Sequence, residues 1–180
     1  MSKQVLILST SFRQNSNSET LASAFAKGVR DAGNRVQEIS LRGKTIQFCK
    51  GCLACQKTGS CVICDDAAEI VQAIHDSDIL VFVTPIYYYE MSGQMKTLLD
   101  RANPLYGSDY RFRDVYLLST AAEDEDGVDS RAIHGLEGWI TCFERARLAG
   151  SVFGGGVNEA GEIKGHSTIL QEAYDMGCRI

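Results

Sequence analysis

Val5-Leu6-Ile7-Leu8-Ser9-Thr10-Ser11-Phe12-Arg13-Gln14-Asn15-Ser16-Asn17-Ser18-Glu19-Thr20 is the stretch on which the fold turns. Its opening apolar run reads as a strand buried on both faces. A loop of hydroxyls, amides and one guanidinium follows. From Ser18 to Arg30, Leu21, Ala24, Phe25, Gly28 and Val29 recur at helical spacing. Strand, polar loop and helix in that order open an α/β domain.

The rest of the chain repeats the alternation. Further strands are predicted near Arg35–Leu41 and over Ile79–Thr84, Val115–Thr120 and Leu148–Phe153. Further helices are predicted from Asp66, over Gly93–Arg101, over Ser130–Arg145 and over Thr168–Met176. Asp66 with Glu69 has the form of a capping box, Gln171 is placed to reach back to Thr168, and Gly177 suits a C-cap. Strands alternating with helices imply a parallel sheet with crossover helices. No repeat, low-complexity segment or linker divides the 180 residues, so one domain covering 1–180 is expected, with a cysteine-rich loop at about 44–65.

Two doubly wound folds open this way. The nucleotide-binding type carries G-x-G-x-x-G after its first strand, and this chain does not. The expected fold is therefore flavodoxin-like: a five-stranded parallel sheet in the order 2-1-3-4-5, helices on both faces, and FMN at the carboxyl ends of the strands. The loops after the first, third and fourth strands become the ones to read.

The first loop ends at a helix start, where free N–H groups and partial positive charge suit a phosphate. Ser11, Ser16, Asn17 and Ser18 add donors, and Arg13 adds a charge-assisted contact. A plain polar loop capped by Asn17 or Ser18 is the competing reading. After the third strand come Pro85-Ile86-Tyr87-Tyr88-Tyr89. Aromatics offer rigid contact area to a flat ring, and Pro85 stiffens the turn. At least one tyrosine is expected in the core or a subunit interface instead. After the fourth strand, Thr120-Ala121-Ala122 is small enough to let backbone N–H groups approach the polar edge of an isoalloxazine.

Five of the seven cysteines lie between Cys49 and Cys64. Cys49, Cys52, Cys55 and Cys61 are spaced so that four thiolates could surround an iron–sulfur cluster, with Lys50 and Lys57 offsetting its charge. The same thiols could hold a structural zinc, form a thiol–disulfide pair, or close over the flavin with no metal. Cys142 and Cys178 read as small packing residues.

These landmarks together resemble the NAD(P)H-dependent FMN reductase and flavodoxin-like oxidoreductase group, and within it the iron–sulfur flavoproteins. The likeness rests on Ser11-Phe12-Arg13 with Asn17-Ser18, the run Cys49-Lys50-Gly51-Cys52-Leu53-Ala54-Cys55 with Gly59-Ser60-Cys61 and Asp65-Asp66, and Thr84-Pro85-Ile86-Tyr87. It extends to Ser92–Lys96 with Asp100-Arg101 and to the Gly-rich tail Gly154–Gly165. It departs at Phe12, where similar sequences usually carry proline, and at Thr10, where glycine is common. The resemblance implies FMN held at its phosphate by Ser11, Arg13, Asn17 and Ser18, with its ring lined by Pro85 to Tyr88 and Thr120 to Ala122. It also implies NAD(P)H or a ferredoxin-type donor, a [4Fe–4S] cluster on the Cys loop as one reading, and a homodimer or homotetramer.

Composition excludes other classes. A net charge of −5 argues against nucleic acid as a partner. No apolar run spans a membrane, the apolar stretch after Met1 is too short for a signal peptide, and a cytoplasmic protein is expected. His75, His134 and His166 are far apart, G-x-S-x-G is absent, and no acid–base residue stands out. Lys96 and Arg101 read as structural or interface charges, with Lys96 also able to reach a nicotinamide phosphate. The function expected is an FMN-dependent oxidoreductase acting on a small acceptor such as a quinone, flavin, azo compound or oxygen species. A non-enzymatic electron carrier and a zinc protein without flavin are the alternatives.

Overall fold

A parallel strand cannot reach its neighbour by a tight turn, so each apolar run is followed by a helix that crosses a sheet face. A computed structural model describes residues 2–180. Its strands are β1 (Gln4–Ser9), β2 (Arg35–Ser40), β3 (Ile79–Tyr87), β4 (Glu90–Met91), β5 (Asp114–Thr120) and β6 (Arg147–Gly154). Its helices are α1 (Asn17–Asp31), α2 (Ala54–Thr58), α3 (Ala67–Asp76), α4 (Gly93–Arg101), α5 (Ser130–Ile140) and α6 (Ser167–Cys178). Five strands pair in parallel in the order β2-β1-β3-β5-β6, and β4 folds back antiparallel on β3. This is the flavodoxin-like arrangement, with six strands rather than five. The additional strand exists because β3 runs past Thr84 through Pro85 and Ile86 to Tyr87, then turns on Tyr88-Tyr89. No helix among the described residues is long and apolar enough to cross a membrane.

The period of two along the strands sorts the core. Leu6, Leu8, Leu80, Phe82 and Leu117 face one layer, with α3, α4 and α5. Val5, Ile7, Val81, Val83 and Leu118 face the other, with α1 and α6. Close approach of α1 to α6 requires glycine on both. A Cβ on Gly28 would lie 2.1 Å from the Tyr174 carbonyl oxygen, and one on Gly177 would lie 2.2 Å from that of Phe25. Gly177 is therefore a packing residue inside α6, not the C-cap its position predicts. Gln171 likewise donates forward to Asp175 (2.8 Å) instead of reaching back.

Two other local expectations give way to tertiary contacts. Asp66 does not cap α3. Its carboxylate accepts from the Thr45 N–H (2.7 Å) and pairs with Lys44 (3.1 Å), while Asp65 Oδ1 accepts from Ala67 N–H (3.1 Å). The helix expected over Ser130–Arg145 ends at Ile140, because successive tight turns carry Phe143 into an aromatic cluster. Its ring lies 4.5 Å from Trp139, 5.1 Å from Tyr110 and 5.2 Å from Phe112.

Arg101 is the largest fully buried side chain. Its Nη1 and Nη2 donate to the two carboxylate oxygens of Asp65 (2.6 and 2.9 Å), and they also reach the carbonyls of Gln47 (2.8 Å) and Ile63 (3.3 Å). Both flanks of the cysteine loop are thus fastened to the end of α4. The Arg101 hydrogen bonds hold the Asp65 carboxyl below its ordinary range, with help from the Gln47 and Ala67 N–H groups. A depressed folded-state value means that the stabilisation is complete above the unfolded carboxyl pKa of about 3.9 and is lost as pH falls through the lower folded value. Arg101→Met, which strands a buried carboxylate, is expected to cost about 3–5 kcal/mol in urea unfolding at pH 7. The stability gap between the native chain and Asp65→Asn should stay constant down to about pH 4 and narrow below it. A gap that widened with acid would contradict this role for Asp65.

Candidate functional site

The carboxyl ends of β1, β3 and β5 meet the tail that follows β6, and a cleft opens between them. Of the residues the sequence singles out for a cofactor, Ser11, Arg13, Ser16, Asn17, Ser18, Pro85, Ile86, Tyr87, Thr120, Ala121 and Ala122 line it. Tyr88 does not: it stands at the hairpin tip and is 98% exposed. Lys96 is also absent from the lining and pairs with Asp100 on the surface of α4 (2.7 Å).

At one end of the cleft, Ser16 caps α1, its Oγ accepting from the Glu19 N–H (3.3 Å) and lying 2.8 Å from Ser18 Oγ. Ser11, Ser16 and Ser18 are buried with their hydroxyls in this loop. The N–H groups of Asn17 and Ser18 find no acceptor among the described residues, as expected for a first helical turn. Arg13 is held over the cleft by its Nη1 bond to the Asn158 carbonyl (2.5 Å). The Asn17 side chain is engaged elsewhere. Its amide donates to the carbonyls of Glu159 (2.8 Å) and Val157 (3.4 Å) and accepts from the Ile163 N–H (3.2 Å). Asn17 therefore offers the cleft its backbone and ties down the tail with its side chain.

At the other end, the β5 loop presents small side chains and few free donors. The Ala121 N–H is bound to the Gly154 carbonyl (3.1 Å), and the Ala121 carbonyl accepts from Val157 N–H (2.9 Å). The Ala122 N–H has no acceptor among the described residues. Below the loop, buried Ser119 donates to Asp129 (2.8 Å). The opposite wall is Pro85-Ile86-Tyr87, stiffened by Thr84, whose Oγ1 accepts from the Ser92 N–H and donates to the Pro85 carbonyl (both 3.0 Å).

Val157 and Asn158 complete the lining and were not identified from sequence as contact residues. The signal available was Gly154-Gly155-Gly156. A Cβ on Gly155 would lie 2.4 Å from Asp124 Oδ1, so glycine lets the tail fold under the β5 loop and arrive at the cleft.

The hairpin that borders the cleft turns on two tyrosines with positive φ, 52° at Tyr88 and 65° at Tyr89. Such two-residue turns favour Asn-Gly, because bulky residues carry a steric cost there. Tyr89 gains contacts in return: the Arg131 guanidinium lies 5.9 Å from its ring, and the Glu123 carboxylate pushes its phenol above its ordinary pKa. Tyr88 gains none that burial records.

The cysteines do not converge. Cys55 is buried, its sulfur accepting from the Asn103 amide (3.1 Å), while Cys49, Cys52 and Cys64 are exposed and Cys61 is half-buried beside Arg101. Among the described residues no three His, Cys, Asp or Glu side chains gather in metal-binding range. As folded here, the loop does not fit a four-thiolate cluster or a tetrahedral zinc, both of which need the sulfurs on one centre.

Residues 4–136 match the family described as NADPH-dependent FMN reductase, and the chain belongs to that family. Its curated relatives include an iron–sulfur flavoprotein of Archaeoglobus fulgidus, 34% identical over 53% of this chain and 43% of the relative. Another is an iron–sulfur flavoprotein of Methanocaldococcus jannaschii, 32% identical over 57% of this chain and 53% of the relative. The chain thus spans about half the length of these relatives. Among solved structures, NAD(P)H:quinone oxidoreductase from Methanothermobacter marburgensis superposes with a TM-score of 0.75 at 18% identity, covering 99% of this chain and 97% of that one. Azoreductase from Bacillus anthracis gives 0.72 at 15% identity over the full length of both chains. These two likenesses establish the fold.

The residues of the cleft fit FMN, the group the family name implies. Unfilled N–H groups and buried hydroxyls at a helix start suit its phosphate, and the small β5 loop with one free N–H suits the edge of its ring.

Because the Tyr88 ring touches nothing that burial records, Tyr88→Gly should relieve turn strain without removing a contact. Thermal or urea unfolding is expected to show a gain of up to about 1 kcal/mol. A loss of stability would mean the ring is held.

Proposed function

We propose that the cleft binds FMN and that the chain works as an FMN-dependent oxidoreductase, taking reducing equivalents from NAD(P)H and passing them to a small acceptor. The observation that carries this reading is the meeting, on one sheet edge, of a helix start with unfilled donors and a wall of small residues facing Pro85-Ile86-Tyr87. Bound there, FMN would supply the hydride and electron transfer; the side chains supply none of it.

The chain's part is to bind, orient and shield. The N–H groups of Asn17 and Ser18, with the hydroxyls of Ser11, Ser16 and Ser18, fix the phosphate, and Arg13 adds charge. Asn158 aims Arg13, and Asn17 holds the tail that carries Asn158. Ala122 offers its N–H to the polar edge of the ring, where negative charge grows on reduction. Pro85, Ile86 and Tyr87 form a wall that excludes water from one side. No proton donor or acceptor side chain is needed in the cleft.

Arg13→Ala combined with Ser18→Ala is expected to weaken FMN retention at least about tenfold, measured by fluorescence titration of the apoprotein, since charge-assisted hydrogen bonds are lost. Unchanged affinity would remove this loop from the site. NAD(P)H oxidation by the loaded protein separates an oxidoreductase from an electron carrier fed by a ferredoxin-type donor.

A further inference from the structure

A small concavity of about 220 Å³ lies between α3 and the turn that follows α4, and it shares no lining residue with the cleft. Cys61 and Arg101 line it together, against Ala67, Val71 and Leu105. Its volume is below the roughly 300–1,000 Å³ of sites that take drug-sized molecules, so it suits a reagent of a few atoms.

A guanidinium has five N–H donors. Four of those on Arg101 are spent: Nη1 on Asp65 and the Gln47 carbonyl, Nη2 on Asp65 and the Ile63 carbonyl. The fifth, on Nε, is buried and has no acceptor among the described residues. A buried donor without a partner is costly, so this one marks a place where an acceptor belongs. Cys61 is the group at hand. It is half-buried beside the guanidinium, and after Asp65 it helps to hold Arg101 above its ordinary pKa. A neutral thiol is a weak acceptor. A sulfenate oxygen, one bond further out from the sulfur, is an ionised and therefore strong one.

The other thiols of the loop are placed differently. Cys55 is buried with its sulfur on the Asn103 amide, and Cys49, Cys52 and Cys64 are exposed. Of the loop cysteines, Cys61 alone combines partial exposure with a place against Arg101, the setting of a reactive thiol. The dispersal of the thiols leaves it free of a shared metal centre.

We propose that Cys61 is an oxidation site for hydrogen peroxide and that Arg101 Nε receives the sulfenate formed there. The Cys61 thiolate attacks one peroxide oxygen, so that an S–O bond forms and the O–O bond breaks. The sulfur gives up two electrons, and the second oxygen departs as hydroxide. The new sulfenic acid releases a proton to solvent, and the hydroxide takes one up to become water. The sulfenate oxygen then accepts from Nε. This chemistry is separate from the cleft and does not rest on the flavin reading.

The test treats the full chain, purified anaerobically, with hydrogen peroxide and then with dimedone, which traps sulfenic acids, and reads the labelled peptides by mass spectrometry. Cys61 is expected to be labelled at least about tenfold faster than Cys49, Cys52 or Cys64, and at least about tenfold faster than Cys61 of the same chain unfolded in urea. Arg101→Lys keeps a charge for Asp65 but lacks the Nε donor, and it should remove most of that advantage. Where this variant does not fold, the comparison of folded and unfolded native chain decides. Label spread evenly over the exposed cysteines, or Cys61 reacting no faster folded than unfolded, overturns the assignment. So does undiminished labelling in a folded Arg101→Lys chain, or stoichiometric bound iron with Cys61 unlabelled.

Discussion

Parallel pairing governs this molecule. Each strand in the order β2-β1-β3-β5-β6 must be left by a crossover, so the segments that follow β1, β3 and β5 all emerge on the same edge. Residues far apart in sequence, such as Ser18, Tyr87, Ala122 and Asn158, become neighbours there without any one of them being placed by a local motif. The site is a by-product of sheet connectivity, refined by short loops whose hydrogen bonds run between segments more than within them.

Connectivity also explains how much could be read in the sequence. Buried strands such as Val5–Leu8 and Ile79–Thr84 announce themselves because both faces must be apolar, and the loops that follow them were located by counting. The lining of the cleft followed almost completely. What escaped depends on partners distant in sequence. Asp66 is drawn from its capping role by Thr45 and Lys44. Phe143 ends a helix by joining an aromatic cluster. Gly177 faces Phe25, and Asn17 turns its amide to the tail. A single sequence gives no sign of which distant group will win such a competition. The tyrosine turn was hidden for another reason: its positive φ values belong to glycine and asparagine by preference, so residue type pointed away from a hairpin.

The cysteine loop shows spacing and geometry parting company. Cys49, Cys52, Cys55 and Cys61 have the interval of a cluster-binding run, yet the folded loop is organised about Arg101 and Asp65. Its thiols are dispersed from solvent to core. A guanidinium whose two Nη groups bind a bidentate carboxylate and two carbonyls anchors both ends of the segment, although its buried Nε finds no partner among the described residues. The loop therefore has a fixed base whatever its thiols do.

The contact between α1 and α6 has a bearing on the cleft that is easy to overlook. With Gly28 and Gly177 letting backbone meet backbone, α1 is seated directly on α6. The segment from Val157 to Ile163 is held to the cleft by the Asn17 amide and the Arg13 guanidinium, by the Val157 N–H bond to Ala121, and by burial of the Val157 and Ile163 side chains. Helix start and tail thus form one continuous rim around the cleft, so a change at either would be felt at the other.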